Sequence, residues 1–266
     1  MQDRIENFNK YLEKAIKEEL HREISFGCVN KSSTGSHKDM DYKLFIKSKD
    51  SIKASLREIS WAKIKSLKDL RKAGLRVEDS MFDTTGGINT HKGLIFLTLI
   101  LAHFYINHGY LYGLEEEISN FSKDLALDYK IFPKAKAFRD LGLKDVRYHP
   151  LTGFRDIFNL GKNSYEGDFN NTILSLKLIS LTDDTTTLNR SNLKTLNFVK
   201  AYANDILDLY KNDRKSLIKK ARDLNNLYLA NNLSSGGVAD IFTIVKIVSY
   251  IGGENNGENL PRPNSK

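Results

Sequence analysis

Apolar and polar positions follow one another with helical spacing along almost the whole chain. Over the first twenty residues Ile5, Phe8, Leu12, Ile16 and Leu20 recur every three or four positions with charges between them, which predicts a helix over 2–21 with one buried stripe. Leu196, Val199, Ala203, Ile206 and Tyr210 repeat the pattern inside a helix over 193–210. The same reading gives helices over 41–53, 55–82, 91–108, 114–128, 168–181, 214–230 and 237–251, and strand-like alternation is almost absent. Two of these segments are apolar on most sides, the run from Leu94 to Ile106 and the one that follows Gly237. Helices of that kind belong in the middle of a bundle. The first falls short of the roughly 20 residues that span a bilayer and carries His103, which reads as a core imidazole.

No internal repeat and no linker divides the chain. The expected fold is all-α, a single-domain multi-helix bundle over 1–251 with two buried central helices, and the Gly-, Asn- and Pro-rich stretch 252–266 is expected to be a flexible tail.

Composition narrows the function classes. With 40% hydrophobic and 28% charged residues in 266, the chain has enough apolar side chains for a sizeable core. Lys and Arg number 41 against 33 Asp and Glu, a formal charge of +8, which points toward anionic partners: nucleic acid, phosphorylated metabolites or an anionic membrane. The lysines are dispersed and no basic block is interleaved with aromatics, so the signature of nucleic-acid binding is weak. Cys28 is the only cysteine, which rules out an intrachain disulfide and a Cys-based zinc site and fits a reducing cytoplasm. The opening helix lacks the apolar core of a signal peptide, and no membrane association is expected.

Four breaks between helices concentrate chemically capable side chains. They are STGSHKDMD (33–41), TTGGINTHKG (84–93), TDDTTTLNR (182–190) and LSSGGVADI (233–241). A helix N-terminus leaves backbone N–H groups unpaired and carries partial positive charge, and glycine lets an anion come close to it. Gly86 and Gly87 before one central helix, and Gly236 and Gly237 before the other, are therefore candidate phosphate mouths, with Lys92 as a point charge. Ser-Gly-Gly and Thr-Gly-Gly also serve as plain caps and turns. Asp39 and Asp41 at one helix start, and the adjacent Asp183 and Asp184, have the oxygen-ligand character that holds Mg²⁺ beside phosphates, or else are ordinary helix-start acids. His37 and His91 read as hydrogen-bonding loop residues rather than general bases.

Taken in order, TGSHKDMDYKLFIKS, TTGGINTHKG, DDTTTLNR and LSSGGVADI resemble the motifs of the triphosphoribosyl-dephospho-CoA synthase family, with TGGINTHKG the most specific. The likeness runs from about Gly27 to Ile251 and includes VEDSM at 77–81. It implies an all-α transferase that moves the 5-triphosphoribosyl group of ATP to the ribose 2'-hydroxyl of 3'-dephospho-CoA with Mg²⁺ and expels adenine. The product is the prosthetic-group precursor of citrate lyase or malonate decarboxylase, passed on to an acyl-carrier-protein holo-transferase. On that resemblance Asp39, Asp41 and Glu78 are the candidates for base or charge stabiliser. Ser36, His37, Lys38, Gly86, Gly87, Asn89, Thr90, His91, Lys92, Arg190, Ser235, Gly236 and Gly237 are the candidates for holding substrate and phosphate, and Asp183, Asp184 and Asp240 for the metal.

The chain also departs from the family pattern. Phe26 stands where a proline is usual, Thr186 for Asn, Asn189 for His, Ser191 and Asn192 for a glycine pair, His149 for Glu and Arg155 for Pro. Two other readings therefore stay open: a divergent, non-catalytic nucleotide-binding member, and a basic helical nucleic-acid-binding module.

Overall fold

The computed structural model describes residues 1–164, 166–210 and 213–255. Among them the regular structure is helical, with one isolated bridge between Asn30 and Ser33. The chain begins with α1 (Gln2–Leu20), α2 (Tyr42–Glu58), α3 (Leu67–Thr85) and α4 (Lys92–His108). Short helices follow: α5 (Glu115–Ser122), α6 (Leu125–Ile131), α7 (Pro133–Asp140), α8 (Tyr148–Leu151) and α9 (Arg155–Lys162). The C-terminal half holds α10 (Asp168–Leu181), α11 (Thr185–Asn189), α12 (Leu193–Leu207), α13 (Arg214–Ala230) and α14 (Gly236–Asn255).

Helices α4 and α14 form the centre. Leu94, Ile95 and every residue from Leu97 to Ile106 are buried on α4, and α14 buries Val238, Ile241, Phe242, Ile244, Val245, Ile247, Val248 and Ile251. A helix with no polar face must be covered on all sides. Accordingly α14 packs against α1, α4, α9 and α10, while α4 packs against α1, α3 and α14. By length and composition Gly236–Gly253 could also cross a bilayer, but here it is core. Charge enters this core in bonded form: Arg22 donates to Glu19 Oε1 at 2.5 Å and to Ser175 Oγ at 2.9 Å, with its guanidinium 4.8 Å from the Phe242 ring centre. That buried pair ties α1 to α10 and α14.

Several predicted boundaries move. The break expected near residue 54 lies at 59–66, because Ile52 and Leu56 continue the apolar face of α2 and Ser66 starts α3 by accepting the Asp69 N–H at 3.3 Å. The expected helix 114–128 is two, parted at Lys123 and Asp124. Helix α14 runs to Asn255, so 252–255 are helical rather than tail. The remainder of the expected tail, 256–266, lies outside the described residues.

Candidate active site

The N-termini of α4 and α14 open at the same end of the bundle, and the contact between them is made by a glycine and a carboxylate. A Cβ on Gly93 would stand 2.1 Å from Asp240 Oδ2, so only glycine lets the Asp240 side chain lie against the first turn of α4. The Leu94 backbone N–H in that turn favours the ionised form of the Asp240 carboxyl, against its burial. The N-terminus of α14 carries a second acid. Asp184 Oδ1 accepts the N–H groups of Thr186 and Thr187 at 2.7 and 3.1 Å, and its Oδ2 accepts that of Val238 at 3.2 Å. One side chain thus caps α11 and α14 together. A Cβ on Gly237 would come within 3.1 Å of it.

Burial raises both acids. Asp240 is pushed well above the ordinary carboxylate range by desolvation first, then by the charges of Asp184 and Glu19. Asp184 is also raised by desolvation, with its backbone donors pulling the other way. A carboxyl raised by desolvation and by the charge of a second acid is relieved by positive charge, whether a proton, a metal ion or a cationic transition state.

Above these acids lies a cavity of about 480 Å³, a size that suits a nucleotide. Lys92, Lys144 and Arg190 bring positive charge to its walls, and Met40, Phe45, Val146 and Ile241 give it an apolar side. Arg190 is fixed by donating to the carbonyls of Ser36 and Asn232 at 3.0 and 3.1 Å and to His37 Nδ1 at 3.1 Å. With Nδ1 accepting, the His37 proton sits on Nε2 and is donated to Ser234 Oγ at 3.0 Å. Burial and the neighbouring Arg190 hold the imidazole pKa below its usual value against the pull of Asp39, so His37 is neutral.

The structure gathers His37, Asp39, Asn89, Thr90, Lys92, Asp183, Asp184, Arg190, Gly236, Gly237 and Asp240 around this one cavity, although they span 200 residues of sequence. Others sit elsewhere. Gly86 and Gly87 do not open α4. They close α3 with left-handed φ of 64° and 85°, the Gly87 N–H returning to the Phe82 carbonyl at 2.8 Å. His91 is buried in the core, where its Nδ1 meets Ser48 Oγ at 2.7 Å and burial pushes its pKa down to about 3. Asp41 is the N-cap of α2, accepting the Leu44 N–H at 2.8 Å. Ser235 is fully buried and donates to the Phe26 carbonyl at 2.9 Å. Ser36 contributes its carbonyl to Arg190, and neither it nor the exposed Lys38 lines the cavity. Glu78 pairs with Lys92 at 2.8 Å and faces a neighbouring groove.

The metal expectation meets a specific donor set. Among the described residues no three His, Cys, Asp or Glu side chains cluster as a metal site. Asp183 is paired with Lys200 and accepts the Lys144 N–H at 2.9 Å, and the oxygens of Asp184 are taken by backbone donors. Among the described residues Asp240 has neither a lysine partner like that of Asp183 nor the several backbone donors of Asp184. Mg²⁺ usually keeps water and phosphate ligands and takes only one or two protein carboxylates, so Asp240, with Asp39 on the same cavity, fits an ion that arrives on a polyphosphate.

Sequence reasoning missed Gly93, which lay inside a quoted motif without being singled out, and Lys144, whose loop carries no periodic or motif signal. Of the departures from the family pattern, two line the cavity: Thr186, and His149, which is bonded to Asp156 at 3.0 Å. The rest are structural or peripheral. Phe26 is buried with φ 49° against Tyr228, Asn192 caps α12 by accepting the Thr195 N–H at 2.9 Å, and Ser191 donates to the Thr187 carbonyl at 2.7 Å. Arg155 and Asn189 are exposed.

Comparison with known proteins gives a consistent picture. A family model described as CitG, ATP:dephospho-CoA triphosphoribosyl transferase, matches residues 5–258. Protein CitXG of Haemophilus influenzae is 26% identical over 91% of this chain and 59% of its own length. The probable 2-(5''-triphosphoribosyl)-3'-dephosphocoenzyme-A synthase of Pectobacterium carotovorum is 28% identical, covering 84% of this chain and 82% of that protein. The 2-(5''-triphosphoribosyl)-3'-dephosphocoenzyme-A synthase of Escherichia fergusonii is 25% identical over 90% and 89%. The chain thus spans about three fifths of the first relative and most of the other two. No solved structure matches.

Proposed function

Because the chain belongs to the family of ATP:dephospho-CoA triphosphoribosyl transferases, we propose that the cavity between the N-termini of α4 and α14 is where the triphosphoribosyl group of ATP passes to 3'-dephospho-CoA. The enzyme is a transferase: the ribose 2'-hydroxyl of the acceptor bonds to the anomeric carbon of ATP, the N-glycosidic bond breaks, and adenine departs with the bonding electrons and a proton. The hydroxyl proton passes to a base. The triphosphate is carried across intact.

The observation that carries this reading is the separation of charge in one cavity, with Lys92, Lys144 and Arg190 on its walls together with the carboxyls of Asp184 and Asp240. The cations suit the triphosphate, which must be held without being cleaved. Loss of adenine builds positive charge on the ribose, as in glycoside hydrolysis, and Asp240, set against Gly93, is the carboxyl we assign to stabilise it. Asp184 is the positioning residue that fixes α14 beneath. Asp39, exposed beside His37, is assigned as the base for the acceptor hydroxyl, a role worth roughly 10²–10⁴-fold. Mg²⁺, arriving on the triphosphate with Asp240 as its protein ligand, would supply charge neutralisation on the phosphates and leave Asp39 free as the base. In this reading the product goes on, as prosthetic-group precursor, to an acyl-carrier-protein holo-transferase in the cytoplasm.

The test is product analysis. With Mg²⁺, ATP and dephospho-CoA, chromatography should show free adenine accumulating with the coupled product and neither ADP nor pyrophosphate. ATP bound with no adenine at any enzyme concentration would replace the transferase with a nucleotide-binding role.

A further inference from the structure

A second hollow of about 380 Å³ lies between α3 and α4 and has an unlike character. Its walls are mostly apolar, with Leu70 and Leu75 from α3, Phe96 and Leu99 from α4, and Phe132 from the α6–α7 junction. Gly74 keeps the helices close, since a Cβ there would already sit 3.0 Å from Leu99 Cδ1. Leu75 and Phe132 are 60% and 47% exposed, so the groove offers uncovered apolar surface rather than a sealed void. Water-facing apolar walls of this kind are a cost unless something covers them.

Three observations identify the occupant. The groove is continuous with the active-site cavity, because Lys92, Gly93 and Val146 line both. Its length follows from the helices that form it: from Lys92 to Ile100 on α4 and from Glu78 to Leu67 on α3 the rise of an α-helix gives roughly 12–16 Å. Its charged residues are already paired, Lys92 with Glu78 at the shared rim and Arg71 and Arg147 both on Asp128. An elongated ligand with an anionic head at Lys92 and a mainly apolar body fits this shape.

We infer that the groove between α3 and α4 is the subsite for the pantetheine arm of the dephospho-CoA acceptor. This rests on the transferase reading and adds to it the path of the acceptor. The arm leaves the diphosphate and runs for about a dozen covalent bonds, roughly 15 Å when extended. Its gem-dimethyl and methylene segments lie along Leu75, Phe96 and Leu99, its diphosphate stays by Lys92, and its thiol ends near Phe132. The subsite explains how one chain distinguishes two adenine nucleotides, because only the acceptor has an arm to place there.

The experiment measures equilibrium affinity for dephospho-CoA and for ADP, which is the same nucleotide without the arm. The wild-type enzyme should bind dephospho-CoA more tightly than ADP. Leu75→Glu, on an exposed helix position that tolerates charge, should weaken dephospho-CoA by at least about tenfold and leave ADP and ATP unchanged. A second variant reads position directly. In Phe132→Cys the added thiol is exposed, whereas native Cys28 is buried with its pKa pushed up to about 11. The 2-thiopyridyl disulfide of dephospho-CoA should therefore label Phe132→Cys selectively, free dephospho-CoA should block it, and a Leu229→Cys control on α13 should label slowly. Equal binding of ADP and dephospho-CoA by the wild type, or no effect of Leu75→Glu together with unselective labelling, overturns the subsite while leaving the transferase reading intact. Failure to bind either nucleotide overturns both.

Discussion

Replacing Gly93 by alanine adds one methyl group at the point where the two central helices meet. The new Cβ would lie 2.1 Å from Asp240 Oδ2 and 3.2 Å from its Cγ. Carbon–oxygen contacts settle a little above 3 Å, so the carboxyl must retreat by about 1 Å. That movement weakens the approach of the Leu94 N–H to the carboxyl, worth at most about 1.5–3 kcal/mol, and turns the side chain off its rotamer for about 0.5–1.5 kcal/mol. Alanine returns up to about 1 kcal/mol through its helical preference. The net loss is then about 1–3 kcal/mol, and a chain of this size keeps its fold with a Tm lower by several degrees. Turnover is far more sensitive: a carboxyl displaced by about 1 Å from a reacting centre is expected to cost on the order of 10²-fold. The assay is adenine release under saturating ATP and dephospho-CoA, with circular dichroism and a melting curve on the same sample. A folded Gly93→Ala enzyme with wild-type kcat would refute the placement of Asp240 at the chemistry.

The nearby Gly86→Ala is expected to do the reverse, losing about 1 kcal/mol of stability to its left-handed φ while keeping wild-type turnover, since nothing lies within 4 Å of the new Cβ. A rise in KM for ATP would return that glycine to the phosphate site. Asp240→Asn should lower turnover by more than about tenfold. Asp183→Asn, which only releases Lys200 and the Lys144 N–H, should stay within a few-fold of wild type, and equal losses in both would contradict the division between them. Acid should expose the buried histidine: unfolded His91 takes a proton at its ordinary value of 6.5 and the folded one only at about 3, so the unfolded chain binds more protons in that window and stability rises with pH. Relative to His91→Asn, the wild type should lose about 1.4 kcal/mol per pH unit below pH 6.5 in urea titrations, and parallel pH profiles would contradict a neutral, buried imidazole.

Much of the bundle is written in hydrophobic spacing. The two central helices declare themselves because they lack a polar face, and α1, α12 and α13 because their stripes are regular. The short helices α7, α8, α9 and α11 carry too few turns for a period to emerge, and the α2–α3 break is hidden because the helical spacing of Ile52 and Leu56 runs past it. Motif resemblance, not periodicity, brought the four polar breaks into one expected site. Within that site the weak point was the glycine pair at 86–87. Two glycines between helices serve equally as the end of the first or the mouth of the second, and here the left-handed C-cap of α3 takes them. The glycine that does belong to the mouth of α4 is Gly93, and only a neighbour from 147 residues downstream, Asp240, reveals why. The α14 mouth was expected to be free for phosphate, but Asp184 caps it. That contact joins two segments some fifty residues apart and leaves no local signature.

A crystal structure of the enzyme with Mg²⁺, a non-transferable ATP analogue and dephospho-CoA would locate both substrates. The triphosphate should lie between Lys92, Lys144 and Arg190, with the anomeric carbon facing Asp240 and the acceptor's arm leaving past Lys92 between α3 and α4. A nucleotide bound away from the mouths of α4 and α14, such as in the hollow of about 520 Å³ beside Lys63, Lys72 and Arg76, would contradict it.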